Sequence, residues 1–328
     1  MTKSQKRVWL AWEKHTRNRS MARSLDAELV ELDFPKLGRV HRYFKSIFQS
    51  MRRLRSKKPD VLFVQNPSLL LALFGYFYGR MTKVVVIVDA HNAGIEPAEG
   101  QSIFLQKIAN FVVRNSKLTI VTNDYLAARV KALGGDAIAV PDPLPELNAS
   151  EVRRPATQAL SVFFVCTWAD DEPYIEVIEA ARLLTGKVSF RFSGRLKESL
   201  RLPEIPENVE LCGYLSDEDF VNEMASADVV VDLTNREHCL VCGAYEATSL
   251  GRPMLLSDTE ALRGHFSEGC AYTDNSVADI AAKLEGMKQN LDDYEQGVLR
   301  LKTHLLRDWD RTRLSVDIRV NELVEQSK

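Results

Sequence analysis

A chain of 328 residues, 45% apolar and 27% charged, has the make-up of a soluble globular protein and the length of two ordinary domains. Residues 8–12 are too short an apolar run for a signal peptide, and residues 68–78 fall well below the roughly 20 residues that span a bilayer. Five cysteines without the spacing of a disulfide framework suit a reducing compartment, so the expected location is the cytoplasm.

The net charge of −2 hides an asymmetry: residues 1–60 hold 16 Lys/Arg against 6 Asp/Glu, a local +10 that leaves −12 for the remainder. Such an end suits an anionic partner, either the inner face of a membrane or a phosphorylated substrate. Nucleic acid is not expected, because no aromatic-rich basic platform accompanies the charge. A solvated helix face is the plainer explanation.

Short β-branched runs alternate with helical patterns, the mark of an α/β fold with parallel sheets. Strands are expected at residues 8–12, 28–32, 61–65, 83–89, 118–122 and 137–140, and helices at 39–56, 67–80, 102–114 and 124–133. Residues 141–155, with four prolines and no apolar periodicity, read as a linker. A second series follows, with strands at 159–166, 189–193, 209–211, 229–233 and 253–256 and helices at 174–184, 217–225 and 243–250. From about residue 294 to 328 the pattern is one long charged helix. The domains are placed at 1–145, with the helix of about 300–328 added to it, and at 156–299.

In open α/β sheets ligands bind beyond the carboxyl ends of the strands, so chemistry is sought there. Residues 13–24 follow the first strand as a loop without glycine, and Arg17, Asn18 and Arg19 in it are acceptor-binding candidates, since arginine grips phosphate bidentately. The helix at 39–56 carries Tyr43, Phe44, Ile47, Phe48, Met51 and Leu54 at helical spacing among cations. That stripe fits either an anionic bilayer or core packing. Asp89, His91 and Asn92 emerge after a strand. Asp89 or His91 can serve as general base for an acceptor hydroxyl and Asn92 as an acceptor contact; the alternative is a strand-terminal Asx turn with a satisfied histidine.

Thr167, Asp171 and Glu172 hold the equivalent place in the second half, and Gly194, Arg195 and Lys197 follow the next strand. Cations there would meet the charge gathering on a leaving diphosphate, unless Arg195 is an ordinary surface residue. In residues 234–258, TNREHCLVCGAYEATSLGRPMLLSD, a helix opens at Gly243 and its free N–H groups suit a diphosphate. Glu246, one turn in, suits a ribose diol. An ordinary αβ unit also favours Glu near a helix start. Cys239 and Cys242 form a single CxxC pair, too little for a zinc site.

This last segment resembles the donor site of the retaining glycosyltransferases of GT-B fold, family 4. In that family two glutamates eight positions apart hold the sugar and the ribose; Glu246 matches the second and His238, beside Glu237, stands at the first. Two further strings, FVQNPSLLLALFGYFYGRMTKVVVIVDAHNAG at 63–94 and VCTWADDEPYIEVIEAARLL at 165–184, resemble the inverting mannosyltransferases that act on dolichol-linked chitobiose.

The resemblance implies two Rossmann-like domains facing across a cleft, with the C-terminal helix crossing back. It implies transfer of a sugar from a UDP- or GDP-linked donor to a hydroxyl of a glycan or lipid-pyrophosphate acceptor in cell-surface glycan synthesis, with no metal and no cofactor beyond the co-substrate. Catalysis would rest on Asp89 and His91. The donor would be held by the residues after the first two strands of the second half, by Tyr214, and by His238, Cys242, Gly243, Ala244 and Glu246 around the helix start. A non-catalytic nucleotide- or glycan-binding homologue and a sugar-nucleotide epimerase are the rival readings.

Overall fold

The computed structural model describes residues 5–66, 68–149 and 159–327. The chain divides into two compact units: Met1–Pro143 with Asp308–Lys328, and Leu144–Arg307. Of the proline-rich segment, residues 141–149 carry no regular structure, while Arg153, Arg154 and Pro155 fall outside the described residues.

The first unit holds strands β1 (Arg7–Ala11), β2 (Glu28–Glu31), β3 (Val61–Asn66), β4 (Val85–Ala90), β5 (Leu118–Val121) and β6 (Ala137–Ala139). Its helices are α1 (Thr16–Ser24), α2 (Arg39–Lys57), α3 (Leu69–Thr82), the single turn α4 (Asn92–Ile95), α5 (Ile103–Asn115) and α6 (Asp124–Ala132). All six strands are parallel, in the order β2-β1-β3-β4-β5-β6. The central strands β3 and β4 are buried along their whole length, as runs apolar on both faces must be. Side-chain oxygens of Ser68, Ser102 and Asn123 accept the orphan amides that open α3, α5 and α6, and so fix where those helices start.

The second unit has β7 (Leu160–Phe164), β8 (Val188–Ser193), β9 (Val209–Gly213), β10 (Val229–Asp232), β11 (Met254–Ser257) and β12 (Cys270–Thr273). Its helices are α7 (Tyr174–Leu183), α8 (Asp217–Ser226), α9 (Cys242–Leu250), α10 (Glu260–His265) and α11 (Val277–Gln289), with α12 (Leu291–Gln326) running on to the end. The parallel sheet, β12-β11-β10-β7-β8-β9, has the Rossmann order, with its switch point between β7 and β10. Within α12, Val298 and Leu301 pack in the second unit's core, and Val316, Val320 and Leu323 in the first unit's.

Three expectations change. Residues 16–24 are a helix and not a loop: Met21, Ala22 and Leu25 turn inward, and His15 caps the start through a ring nitrogen. Strand β12 was not expected, since four residues of mixed polarity give no run to read, and neither were helices α10 and α11. The α2 stripe divides. Tyr43, Met51 and Leu54 pack on the core, while Phe44, Ile47 and Phe48 are exposed.

Candidate active site

In the first unit the switch point lies between β1 and β3, and a group of polar and charged side chains collects at the carboxyl ends of the strands. Asp89, at the end of β4, is fully buried. Arg17 on α1 reaches it through Nε at 3.1 Å and Nη2 at 2.7 Å, donates to the Val140 carbonyl at 3.2 Å, and pairs with Asp142. Asp89 is therefore closed to an acceptor hydroxyl, and the expected base becomes the anchor of an internal ion pair. Arg17 and Asn18 are likewise corrected as acceptor contacts. Arg17 is 2% exposed, and Asn18, wholly buried, accepts from Trp9 Nε1 at 3.1 Å and donates to the Glu13 carbonyl. Arg19 points outward near Glu31, at 3.5 Å.

His91 stands in front of this pair. Its side chain is 27% exposed, and Nε2 sits 3.7 Å from Asp89 Oδ2, too far for a hydrogen bond. Desolvation pushes its pKa down to about 4, Asp89 pulls the other way, and the Arg17 and His15 charges add to the lowering. The ring is neutral at physiological pH, as a base must be. The His15 ring meets it edge-on at 5.7 Å. Asn92 follows at the start of α4. Beside it, Gln65 donates to Glu13 at 2.9 Å and Asn66 to the Gly94 carbonyl at 3.3 Å. Yet Gln65 Oε1, Asn66 Oδ1 and His91 Nε2 are buried without a partner. Three such atoms at two adjacent strand ends offer hydrogen-bonding capacity to a ligand or to water.

In the second unit the loop after β7 is organised by Glu172. Its carboxylate accepts from Thr167 N at 2.9 Å, Thr167 Oγ1 at 2.6 Å and Ala169 N at 3.1 Å. Those bonds hold Trp168 at φ 61, a left-handed conformation that a bulky residue adopts only under constraint. The Trp168 indole donates to the Gly194 carbonyl at 3.0 Å. Gly194 itself has φ +92, and a Cβ there would stand 2.1 Å from the Cys166 oxygen, so only glycine fits. Glu172 and Thr167 thus shape this loop and face each other. Asp171 accepts from Thr234 Oγ1 at 2.8 Å, which ties the β7 loop to the β10 loop.

The expected diphosphate seat at α9 is already occupied. Asp232, at the end of β10 and 8% exposed, accepts the amides of Gly243 and Ala244. Burial raises its pKa well above the usual carboxylate range, Glu246 and Glu172 add to that, and the two amides only partly offset it. Gly243 is required by this contact, since a Cβ would lie 2.6 Å from Asp232 Oδ2. Gly243→Ala should therefore cost about 1–2 kcal/mol in urea denaturation, although alanine ordinarily favours a helix interior.

Glu246 is half-buried, and burial followed by the charge of Asp217 brings its pKa up to about 7. Among cations, Lys197 Nζ donates to the Trp168 carbonyl at 3.2 Å, and the Arg195 guanidinium stands 5.7 Å over the exposed Tyr214 ring. His238 is half-buried in the β10–α9 loop, and Cys242 is exposed at the helix start. No group of three metal-ligating side chains gathers among the described residues. Asp232, Trp168, His15 and Asp142 were not singled out in the sequence. The one signal that could have found Asp232 is a charged residue closing an otherwise apolar run.

No protein-family model and no curated protein matches this sequence. Solved structures do match its fold. Sucrose-phosphate synthase from Thermosynechococcus elongatus aligns with 96% of this chain and 86% of its own, at 12% identity and TM-score 0.69. A Listeria monocytogenes chain named for UDP-N-acetylglucosamine 2-epimerase aligns over 89% and 91%, at 10% identity and TM-score 0.59. HepE from Anabaena, in a complex with UDP-glucose, aligns over 97% and 91%, at 10% identity and TM-score 0.69, and with these structures the chain shares the GT-B fold of two Rossmann-like domains.

Proposed function

We propose that this chain is a glycosyltransferase that takes a nucleoside diphosphate-sugar on its second unit and activates an acceptor hydroxyl on its first. The observation that carries the reading is Glu246: a half-buried carboxylate one turn into the helix at a Rossmann switch point, where it can accept from a ribose diol. The fold shared with HepE, which holds UDP-glucose, supports a UDP-linked donor. Because Asp232 fills the α9 amides, the diphosphate is assigned to Lys197 and Arg195.

His91 is the base. The acceptor O–H proton passes to its ring as the oxygen bonds to the anomeric carbon. The bond from that carbon to the diphosphate breaks, and the nucleotide leaves with the electron pair, its new charge met by the two cations. Asp89, held by Arg17, positions the ring. A glycan or lipid-pyrophosphate acceptor for cell-surface glycan synthesis fits the basic first unit.

Incubation with UDP-, GDP- and ADP-sugars and a glycan acceptor panel tests this. Release of a nucleoside diphosphate together with a lengthened acceptor is expected. Epimerised sugar, or binding without turnover, would replace the reading with one of its rivals.

Glu246 must be ionised to serve a ribose. Donor affinity should therefore rise as pH climbs through about 7 and flatten in Glu246→Gln, read by calorimetry across pH 6–8. The effect on stability has the opposite sign. A folded pKa of about 7 against an ordinary 4.5 favours the protonated fold, so this stabilisation is lost between those values as pH rises.

A further inference from the structure

We infer that the α2–α3–α5 layer of the first unit docks on an anionic lipid bilayer, with a phospholipid phosphate seated in the cavity at the ends of α3 and α5. The buried sides of the three helices, Leu54, Leu71, Ala72, Tyr78, Val112 and Val113, belong to one core cluster on one face of the sheet, so their outer sides form one surface. α1 and the end of α12 pack in the other cluster.

That surface is apolar to an unusual degree. Val40, Phe44 and Phe48 on α2, Phe77 and Met81 on α3, and Phe104 on α5 are between 57% and 75% exposed. Large apolar side chains exposed in this number on one side of the sheet mark an interaction site. Its charge is of one sign. α2 carries seven Lys/Arg, α3 one and α5 two, and none of the three helices contains Asp or Glu. On the opposite side, α12 from residue 308 onward carries five acidic residues and three arginines. Lys57 is paired with Glu28, and the remaining α2 cations, interleaved with aromatic and aliphatic side chains, match the acyl boundary and phosphate layer of an anionic membrane. A second copy of the same surface would set like charges against each other.

The cavity supplies the specific contact. It measures about 290 Å³ and is lined by Arg80, Lys83, Lys117 and Asn115, with no Asp or Glu side chain among the described lining residues. α3 and α5 end there, and so does α12 with Gln326 and Ser327 at the rim; each end contributes roughly half a negative charge, which three full cations outweigh. Tyr76 lines it, and the Tyr76 ring touches exposed Phe77 at 5.2 Å and Phe111 at 5.1 Å, so the cavity adjoins the apolar surface.

The inference is independent of the transferase reading, because vesicle binding is measured without nucleotide or sugar. The full chain is sedimented with phosphatidylcholine vesicles, with and without phosphatidylglycerol. Binding at least about tenfold stronger to the anionic vesicles is expected, lost in about 0.5 M salt. Phe44→Gln/Phe48→Gln and Lys83→Gln/Lys117→Gln should each weaken it about tenfold while the circular dichroism stays that of the wild type. Absent or charge-independent vesicle binding, or unchanged binding by the Phe44/Phe48 variant, would overturn the docking surface. Binding of a single-stranded oligonucleotide in place of vesicles would do the same. Loss in the Phe44/Phe48 variant but not in Lys83→Gln/Lys117→Gln would overturn the phosphate site.

Discussion

Replacing Arg17 with methionine is expected to destabilise the first unit by about 3–5 kcal/mol, because it strands Asp89 as a buried charge without its partner. Arg17 ties two strand ends together through three groups: Asp89 at the end of β4, and the Val140 carbonyl and Asp142 after β6. Both Arg17 and Asp89 are out of contact with water, so neither hydration nor salt can replace the lost bonds. The double variant Arg17→Met/Asp89→Leu should recover most of the loss, since an apolar pair of similar volume avoids the desolvation cost. Urea denaturation of the four proteins in a double-mutant cycle reads the coupling. A loss below about 1 kcal/mol in the single variant would mean that the pair does not organise the strand ends. The same substitution removes a charge that lowers the His91 pKa, so an NMR titration should show that imidazole titrating at higher pH.

The second large effect is chemical. His91→Ala should lower kcat by about 10²–10⁴, the range of a lost general base, with donor affinity unchanged because the nucleotide is assigned to the other unit. The ring is partly exposed and Nε2 makes no hydrogen bond, so thermal stability should move by no more than about 1 kcal/mol. Asp89→Asn should cost less activity than His91→Ala, since it perturbs the ring only through position and charge. If the two variants are reversed in severity, Asp89 is the group that meets the acceptor.

These assignments show what a local pattern carries. The run VVIVDA and the apolar strands of the second half announce themselves by β-branched content, and both parallel sheets follow from their alternation with helices. Helix α1 did not, because only Met21, Ala22 and the cap residue Leu25 are apolar on its inward side, and the buried Arg17 and Asn18 read as polar loop residues. Arg17 and Asp89 are 72 residues apart in sequence. Nothing near either residue signals that one neutralises the other. Asp232 closes an apolar strand, and its capture of the Gly243 and Ala244 amides depends on how closely α9 approaches β10. The placement of Glu246 and His91 was legible, because a position after a strand and a helix turn past its start are both readable in one dimension.

The most direct test of the donor site is a calorimetric titration at pH 8 of UDP, UDP-sugars and GDP-sugars into the wild-type chain and Glu246→Gln. The account predicts binding of at least one nucleotide by the wild type. It predicts affinity weakened roughly 10- to 100-fold in the variant, as the loss of a hydrogen bond to a charged group requires. No binding by the wild type, or equal binding by both proteins, would contradict it.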